Sequence, residues 1–265
     1  MKAVVTLTTI PSRLISQYPD DIKSCLDSLL NQTFDDYEVH MNIPYKLNLT
    51  GEEYVIPEWL DSMVENNPKL KYFRGEDYGS ITKIVDTIKR IQDPECVIIT
   101  ADDDLVYHPE MVEEQYNNQT RIFHNCAIGY DGISAMECVF KDNRNHFVVS
   151  VPCNVRVNVL QHYKTVSYKR RYFEDDFFTD FVSASWADDI IVSAYMTKQN
   201  IQKYVTYYDK EKIPNNMEEW EKLGGVTTFP ILRHTQHDSL EGCNIHRTNG
   251  ISDNFMDFVR KGYLR

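Results

Sequence analysis

The sequence predicts an α/β fold, with a mostly parallel central sheet, helices on both faces, a strand-rich later region and a loop-rich C-terminal segment. Two observations carry this. Over about the first 125 residues, short apolar runs alternate with stretches whose apolar residues fall at helical spacing. Strands alternating with helices build parallel sheets, because the helix carries the chain back to the edge from which the next strand starts. From Ala127 onward that rhythm gives way to polar-aromatic strands.

The elements follow in order. Residues 3–8 (AVVTLT) form a buried-type strand, and residues 21–31 place Ile22, Cys25, Leu26, Leu29 and Leu30 on one helical face. Residues 37–43 alternate as a strand that ends at Pro44. Residues 57–66 read as a helix with proline in its first turn. A short strand at 70–73 precedes a well-marked helix at 81–91. The strand at 96–100 runs into Asp102-Asp103-Asp104, and a helix begins near Pro109. Residues 147–159 and 165–173 are strand-rich. A helix follows Asp188-Asp189, with Ile190, Ile191, Ala194 and Tyr195 as its apolar face. From Pro214 periodicity is weak. Without repeats, low-complexity tracts or a linker, a single domain over 1–265 is expected, dividing at about residue 125.

The bulk properties narrow the function classes. A net charge of −12 excludes a nucleic-acid binder, which needs a basic stripe to displace counterions, and disfavours anionic membranes. A nucleotide remains compatible, since a divalent cation neutralises a diphosphate locally. The six cysteines (Cys25, Cys96, Cys126, Cys138, Cys153, Cys243) include no CxxC pair, which speaks against a zinc site or a small disulfide framework and for a reducing compartment. No apolar run approaches the ~18 residues of a membrane span, and residues 1–6 lead directly into a strand, so a soluble, cytoplasmic protein is expected.

Chemistry concentrates at two carboxylate groups. Asp102, Asp103 and Asp104 follow the apolar Val97-Ile98-Ile99, and adjacent carboxylates repel unless a cation or water screens them. Hard oxygen ligands at the carboxyl end of a parallel strand suit Mg²⁺ or Mn²⁺ bridging phosphate oxygens, and ligands of such sheets gather at that edge. The alternative is a solvated acidic turn before the helix at Pro109. Asp188-Asp189 opens a helix, where a carboxylate pair can take a proton from an attacking hydroxyl or simply complement the helix dipole. Lys83 stands in a first helical turn after a glycine, a place that favours anions.

The triplet resembles the DXD motif of GT-A fold glycosyltransferases. VVTLTTIPSR (4–13) is similar to the first strand and nucleotide loop of small bacterial and algal-virus members, DYGSITK (77–83) to their second nucleotide-binding segment, and ADDIIVSAY (187–195) to their late acidic helix. The resemblance implies a GT-A, Rossmann-like sheet and a sugar transfer from a nucleotide-sugar, with a UDP-sugar favoured, to a glycan or glycoside acceptor. It divides the domain into a nucleotide-binding half to about residue 125 and an acceptor half beyond. Thr8, Pro11 and Arg13 would border the nucleotide, and Asp77 and Lys83 would contact base, ribose or phosphate. Asp102 and Asp103 would face the donor, with Asp102 near the ribose. Asp104 would be the principal ligand of Mn²⁺ or Mg²⁺, assisted by Asp102 and by one of His234, His237 and His246, with His246 preferred. Asp189 would be the general base of an inverting transfer and Asp188 the second choice, with Asp175-Asp176 in reserve. Trp186, just before Asp188-Asp189, suits stacking on a sugar ring and suits the core equally well. LQHYKTVSYKRR (160–171) resembles an acceptor-side loop and strand, but His162 and Thr165 stand where relatives tend to have glycine.

Three other readings remain open. Asp102-x-Asp104-x-Val106 fits the nucleophile motif of haloacid-dehalogenase-like phosphatases, although that motif normally follows the first core strand and here several βα elements precede it. A non-catalytic nucleotide-sugar or glycan-binding module would leave Asp188-Asp189 idle. A nucleotidyltransferase would need a glycine-rich, basic first loop, and TLTTIPSR contains no glycine.

Overall fold

The computed structural model describes residues 1–15, 20–133, 154–162, 164–182 and 188–206, together with Lys261. Along the chain run β1 (Ala3–Thr8), a one-turn α1 (Pro11–Leu14), α2 (Asp20–Leu30), β2 (Tyr37–Pro44), α3 (Glu58–Asn66), β3 (Leu70–Gly75), α4 (Thr82–Arg90), β4 (Val97–Thr100) and α5 (Met111–Asn117). Then come β5 (Cys126–Gly129), β6 (Gly132–Ile133), β7 (Val155–Arg156), β8 (Val159–Leu160), β9 (Val166–Lys169), α6 (Asp188–Lys198) and β10 (Gln202–Val205).

Eight strands form one sheet in the order β3-β2-β1-β4-β9-β5-β10-β7, and β6 pairs with β8 outside it. The pairs β1–β2, β1–β4, β2–β3 and β5–β10 are parallel. This is the mostly parallel α/β sheet expected of a GT-A, Rossmann-like chain. Apart from α1, which the sequence did not mark, elements through α5 fall where the apolar spacing put them, with ends shifted by a residue or two.

Residues 165–173, read from the sequence as strand-rich without a place in a sheet, supply one of the central strands. Their strand, β9, enters the main sheet between β4 and β5, antiparallel to both. The strand stops at Lys169, and Arg170–Tyr172 close into a 3-10 turn. Strands β5, β6 and β10 were not anticipated, because two to four residues are too few for a period to register. Residues 147–153 and all but Lys261 of the segment beyond Pro214 lie outside the described residues.

The sheet buries both faces, which explains its near-continuous apolar strands. Ala3, Val5 and Leu7 of β1, with Val97 and Ile99 of β4, pack against Leu26 and Leu29 of α2, Leu60 of α3 and Met111 and Val112 of α5. Ile98 points the other way, to a cluster with Ile84, Val85 and Ile88 of α4, Tyr168 of β9, and Ile191 and Tyr195 of α6. Each fully buried side chain of this kind stabilises the fold by roughly 1.5–3 kcal/mol. Helices therefore cover both faces, as the alternation along β1 and β4 requires. No helix among the described residues is long and apolar enough to cross a membrane.

The antiparallel sense of β9 matters for the site. β1 and β4 end at the carboxyl edge, whereas β9 begins there, since Ile99 pairs with Ser167 and Val97 with Lys169. Residues 160–162 and 164–165, just before β9, are thus delivered to the edge on which Asp102–Asp104 lie.

Candidate active site

At the carboxyl ends of β1 and β4 the three aspartates do not point the same way. The Asp103 side chain is 6% exposed and turns inward, where Thr9 Oγ1 and Arg13 Nη1 donate to its two oxygens. Asp102 and Asp104 keep 27% and 29% of their side-chain surface. The chain turns at Asp103 and Asp104, just past β4, and this leaves the first and third carboxylates on the open side and the second behind them. The turn is braced from below: Tyr107 Oη accepts the Asp102 backbone N–H at 2.6 Å, and Cys25 Sγ lies 3.3 Å from the Asp102 carbonyl.

Two cations serve this cluster. Arg13, on α1, spans Asp103 and Asp104, with Nη2 3.2 Å from Asp104 Oδ2. Burial would loosen its proton, but Asp103, Asp104 and Asp102 together hold the guanidinium more firmly charged than usual. Lys83, in the first turn of α4 and 5% exposed, donates to Asp102 Oδ1 and lies 3.0 Å from Asp188 Oδ2. Burial opposes its charge, yet Asp102 and Asp188 prevail and push its pKa upward. Lys83 Nζ is off line for an aligned bond to Asp188 Oδ2, so that contact is ion pairing. The backbone of Lys83 is also fixed: Thr6 Oγ1 and Asn42 Nδ2 both donate to its carbonyl, the latter at 2.9 Å.

Among the described residues, five carboxylates, Asp102 to Asp104 with Asp188 and Asp189, thus face the cations Arg13 and Lys83. The surplus registers at Asp104, whose carboxyl is pushed up to about 6 by burial and by Asp103 and Asp102. Unbalanced negative charge on oxygen ligands suits a divalent cation.

The α6 pair divides in the same inward-outward manner. Asp188 is 4% exposed; burial alone would raise its carboxyl, but Lys83 and then His162 draw it below the usual carboxylate range. Asp189 keeps 23% of its side-chain surface, and its Oδ1 accepts the His162 backbone N–H at 2.7 Å and lies 2.9 Å from His162 Nδ1. His162 Nε2 lies 2.8 Å from Tyr168 Oη. Ligand-type atoms of His162, Asp188 and Asp189 fall within 4.8 Å of one another, a spacing compatible with a divalent cation.

The remaining expected residues are placed as follows. Thr8 donates its hydroxyl to the Asn42 carbonyl at 2.7 Å, and Pro11 is buried at the start of α1. Asp77 organises a turn. Its Oδ2 accepts the Asn48 N–H at 2.7 Å and its Oδ1 the Gly79 N–H at 2.8 Å, and Gly79 has φ +71°, a conformation that glycine adopts without strain. Asp176 accepts hydrogen bonds from Tyr195 and Lys198 and joins neither carboxylate group. Trp186, His234, His237 and His246 lie outside the described residues. Arg13, Lys83, Asp102–Asp104 and Asp188–Asp189 are the residues brought together. Sequence reasoning missed Thr9, Tyr107 and Tyr168. His162 registered only as a departure from the relatives' glycine, which was its one signal.

No family model matches the chain, and no curated protein matches it. Solved structures similar to it include S. aureus TarS 1–349 (15% identity, TM-score 0.49, covering 97% of this chain and 71% of that one). Another is TarS 1–349 in complex with UDP-GlcNAc (12%, TM-score 0.46, 96% and 80%). A third is a putative nucleotide-diphospho-sugar transferase from Desulfovibrio desulfuricans G20 (11%, TM-score 0.45, 89% and 96%). These likenesses are too remote to assign a residue or an activity.

Proposed function

We propose that this chain is a glycosyltransferase that moves a sugar from a nucleotide-sugar, a UDP-sugar first, to a glycan or glycoside acceptor with inversion. The observation that carries the reading is the position of Lys83. Its ammonium joins Asp102 at the end of β4 to Asp188 at the start of α6, at the carboxyl edge of a mostly parallel sheet. Two carboxylate groups distant in sequence thereby meet where such sheets bind nucleotides.

Asp102 and Asp104, the outward pair with surplus negative charge, would hold a divalent cation, which when bound neutralises the diphosphate and favours its departure. His246, the third ligand implied by the sequence, lies outside the described residues. Arg13 and Lys83 supply fixed positive charge beside the diphosphate. Lys83 then exchanges part of its carboxylate pairing for phosphate, a charge-assisted contact of similar strength. Asp189 takes the proton of the acceptor hydroxyl as that oxygen bonds to the anomeric carbon, and the bond to the diphosphate breaks with its electron pair leaving on the diphosphate. Asp188 is the weaker candidate for this task, because Lys83 and then His162 hold it as a fixed anion against the effect of burial.

A panel of UDP-, GDP- and TDP-sugars with Mn²⁺, read by thermal shift and hydrolysis, tests the donor. NMR of the first-formed product tests the stereochemistry. Stabilisation and turnover with one UDP-sugar, giving the opposite anomeric configuration, is the expected outcome; retention of configuration overturns the single displacement.

A further inference from the structure

His162 and Tyr168 are buried polar residues to which neither the sequence nor the proposed chemistry gives a task. His162 is 1% exposed and Tyr168 is fully buried. A buried ring with both nitrogens engaged is costly to arrange and constrains what it touches. We propose that His162 is a positioning residue for Asp189, clamping one carboxylate oxygen so that the other is presented to the acceptor, with Tyr168 fixing the far end of the imidazole. The inference deepens the glycosyltransferase reading and rests on Asp189 as its base.

The geometry supports a clamp. Asp189 Oδ1 receives two groups from one residue, the His162 backbone N–H at 2.7 Å and Nδ1 at 2.9 Å. A carboxylate oxygen only accepts, so the short Nδ1 contact requires the proton on Nδ1. Two donors on Oδ1 fix the rotation of the carboxylate and leave Oδ2 as the oxygen available to a hydroxyl. At the other end, the 2.8 Å contact of Nε2 with Tyr168 Oη stops the ring from turning. Tyr168 in turn is locked in β9 opposite Ile98 of β4, in the middle of the sheet. The position of the base is therefore referred, through one ring, to a strand in the interior of the sheet.

The clamp also answers the cation question for this cluster. An Nδ1 that carries a proton has no lone pair for a metal, and the Lys83 ammonium already neutralises Asp188. His162, Asp188 and Asp189 form a hydrogen-bonded support, and the cation belongs on the Asp102–Asp104 side.

The test has two arms on the full chain. Long-range proton–nitrogen NMR of ligand-free protein reads the His162 ring without needing turnover. An Nδ1-bound proton, unaffected by Mn²⁺, is expected; a bare Nδ1, or one perturbed by Mn²⁺, overturns the clamp. The kinetic arm compares His162→Ala with His162→Asn, whose amide can place a donor where Nδ1 stood. His162→Ala should lower kcat at least ~10-fold, short of the loss on removing the base itself. Its UDP Kd should stay within about twofold of wild type, as expected for a separate site. His162→Asn should recover most of kcat, and Tyr168→Phe should fall between the two. An unchanged kcat in His162→Ala, or His162→Asn as slow as His162→Ala at equal thermal stability, overturns the proposal. If the wild type turns over no nucleotide-sugar, the functional reading fails, while the NMR arm still decides the clamp.

Discussion

The two carboxylate groups of the site are built on opposite principles. On the β4 side, Asp102, Asp103 and Asp104 are held by Arg13 and Lys83, full charges on flexible stems. On the α6 side, Asp188 shares the Lys83 ammonium, but Asp189 is held by a backbone N–H and an imidazole whose ring is itself anchored. Ion pairs at a partly open edge can be exchanged for those of a charged ligand, because an incoming phosphate or cation offers similar electrostatic energy. A short hydrogen-bond clamp has no comparable competitor. One side is made to reorganise around a ligand and the other to stay still, as electrostatic preorganisation requires.

Changes that separate the two sides should therefore give different signatures. The largest effect is expected from Asp104→Asn or from excess EDTA, which should abolish turnover, with the variant also losing Mn²⁺-dependent UDP binding while its circular dichroism stays unchanged. Full activity in EDTA would remove the cation from the scheme. Next, Asp189→Asn should lower kcat by at least ~10²-fold with donor affinity nearly unchanged; a donor Kd that rises with it would place Asp189 on the wrong side of the comparison. Asp188→Asn should cost less, mainly in acceptor KM. Lys83→Ala, on the exchangeable side, should raise the donor Kd about tenfold, or ~1.4 kcal/mol, measured by calorimetry with UDP. Binding as tight as wild type would make Lys83 a structural ion-pair partner alone.

The smallest effect concerns stability. The Asp104 carboxyl is pushed up to about 6, by burial first and then by Asp103 and Asp102, against an unfolded value of about 3.9. Between these values the folded chain holds more protons than the unfolded one, so this group's contribution to stability falls as pH rises through that window. In metal-free buffer Asp104→Asn should then raise Tm by about 3 °C at pH 7.5 and by much less at pH 4. Equal shifts at both pH values would show that Asp104 carries no such penalty.

How much of this was legible in the sequence follows from what one chain displays. Long apolar periods in residues 3–100 gave the parallel half of the sheet, because burial on both faces writes itself as Val97-Ile98-Ile99 and the like. β9 was readable as a strand but not as a member of that sheet, since the pairing of Ile98 with Tyr168 is a long-range contact with no local trace. At the site, the acidic runs announced themselves, whereas their division into inward and outward members depends on backbone direction. Asp77 illustrates the converse: its spacing from Gly79 and Thr82 suits a turn as well as a ligand, and its carboxylate both shapes that turn and ties it to the distant Asn48. His162 was conspicuous, but its partner Tyr168 was hidden among 17 tyrosines.

The insertion of β9 also has a consequence for biosynthesis. β4 and β5 have been made long before β9, yet the register of Ile99 with Ser167 and of Ile128 with Ser167 makes β9 the bridge between them. Until that segment leaves the ribosome, the nascent sheet has an open edge along β4, and β5 has no partner on that side. Unpaired edges of this kind template association with other chains. The part of the chain up to about residue 125, regular as its βα pattern is, is thus incomplete as a folding unit, and a chain cut before Val166 should accumulate as aggregate.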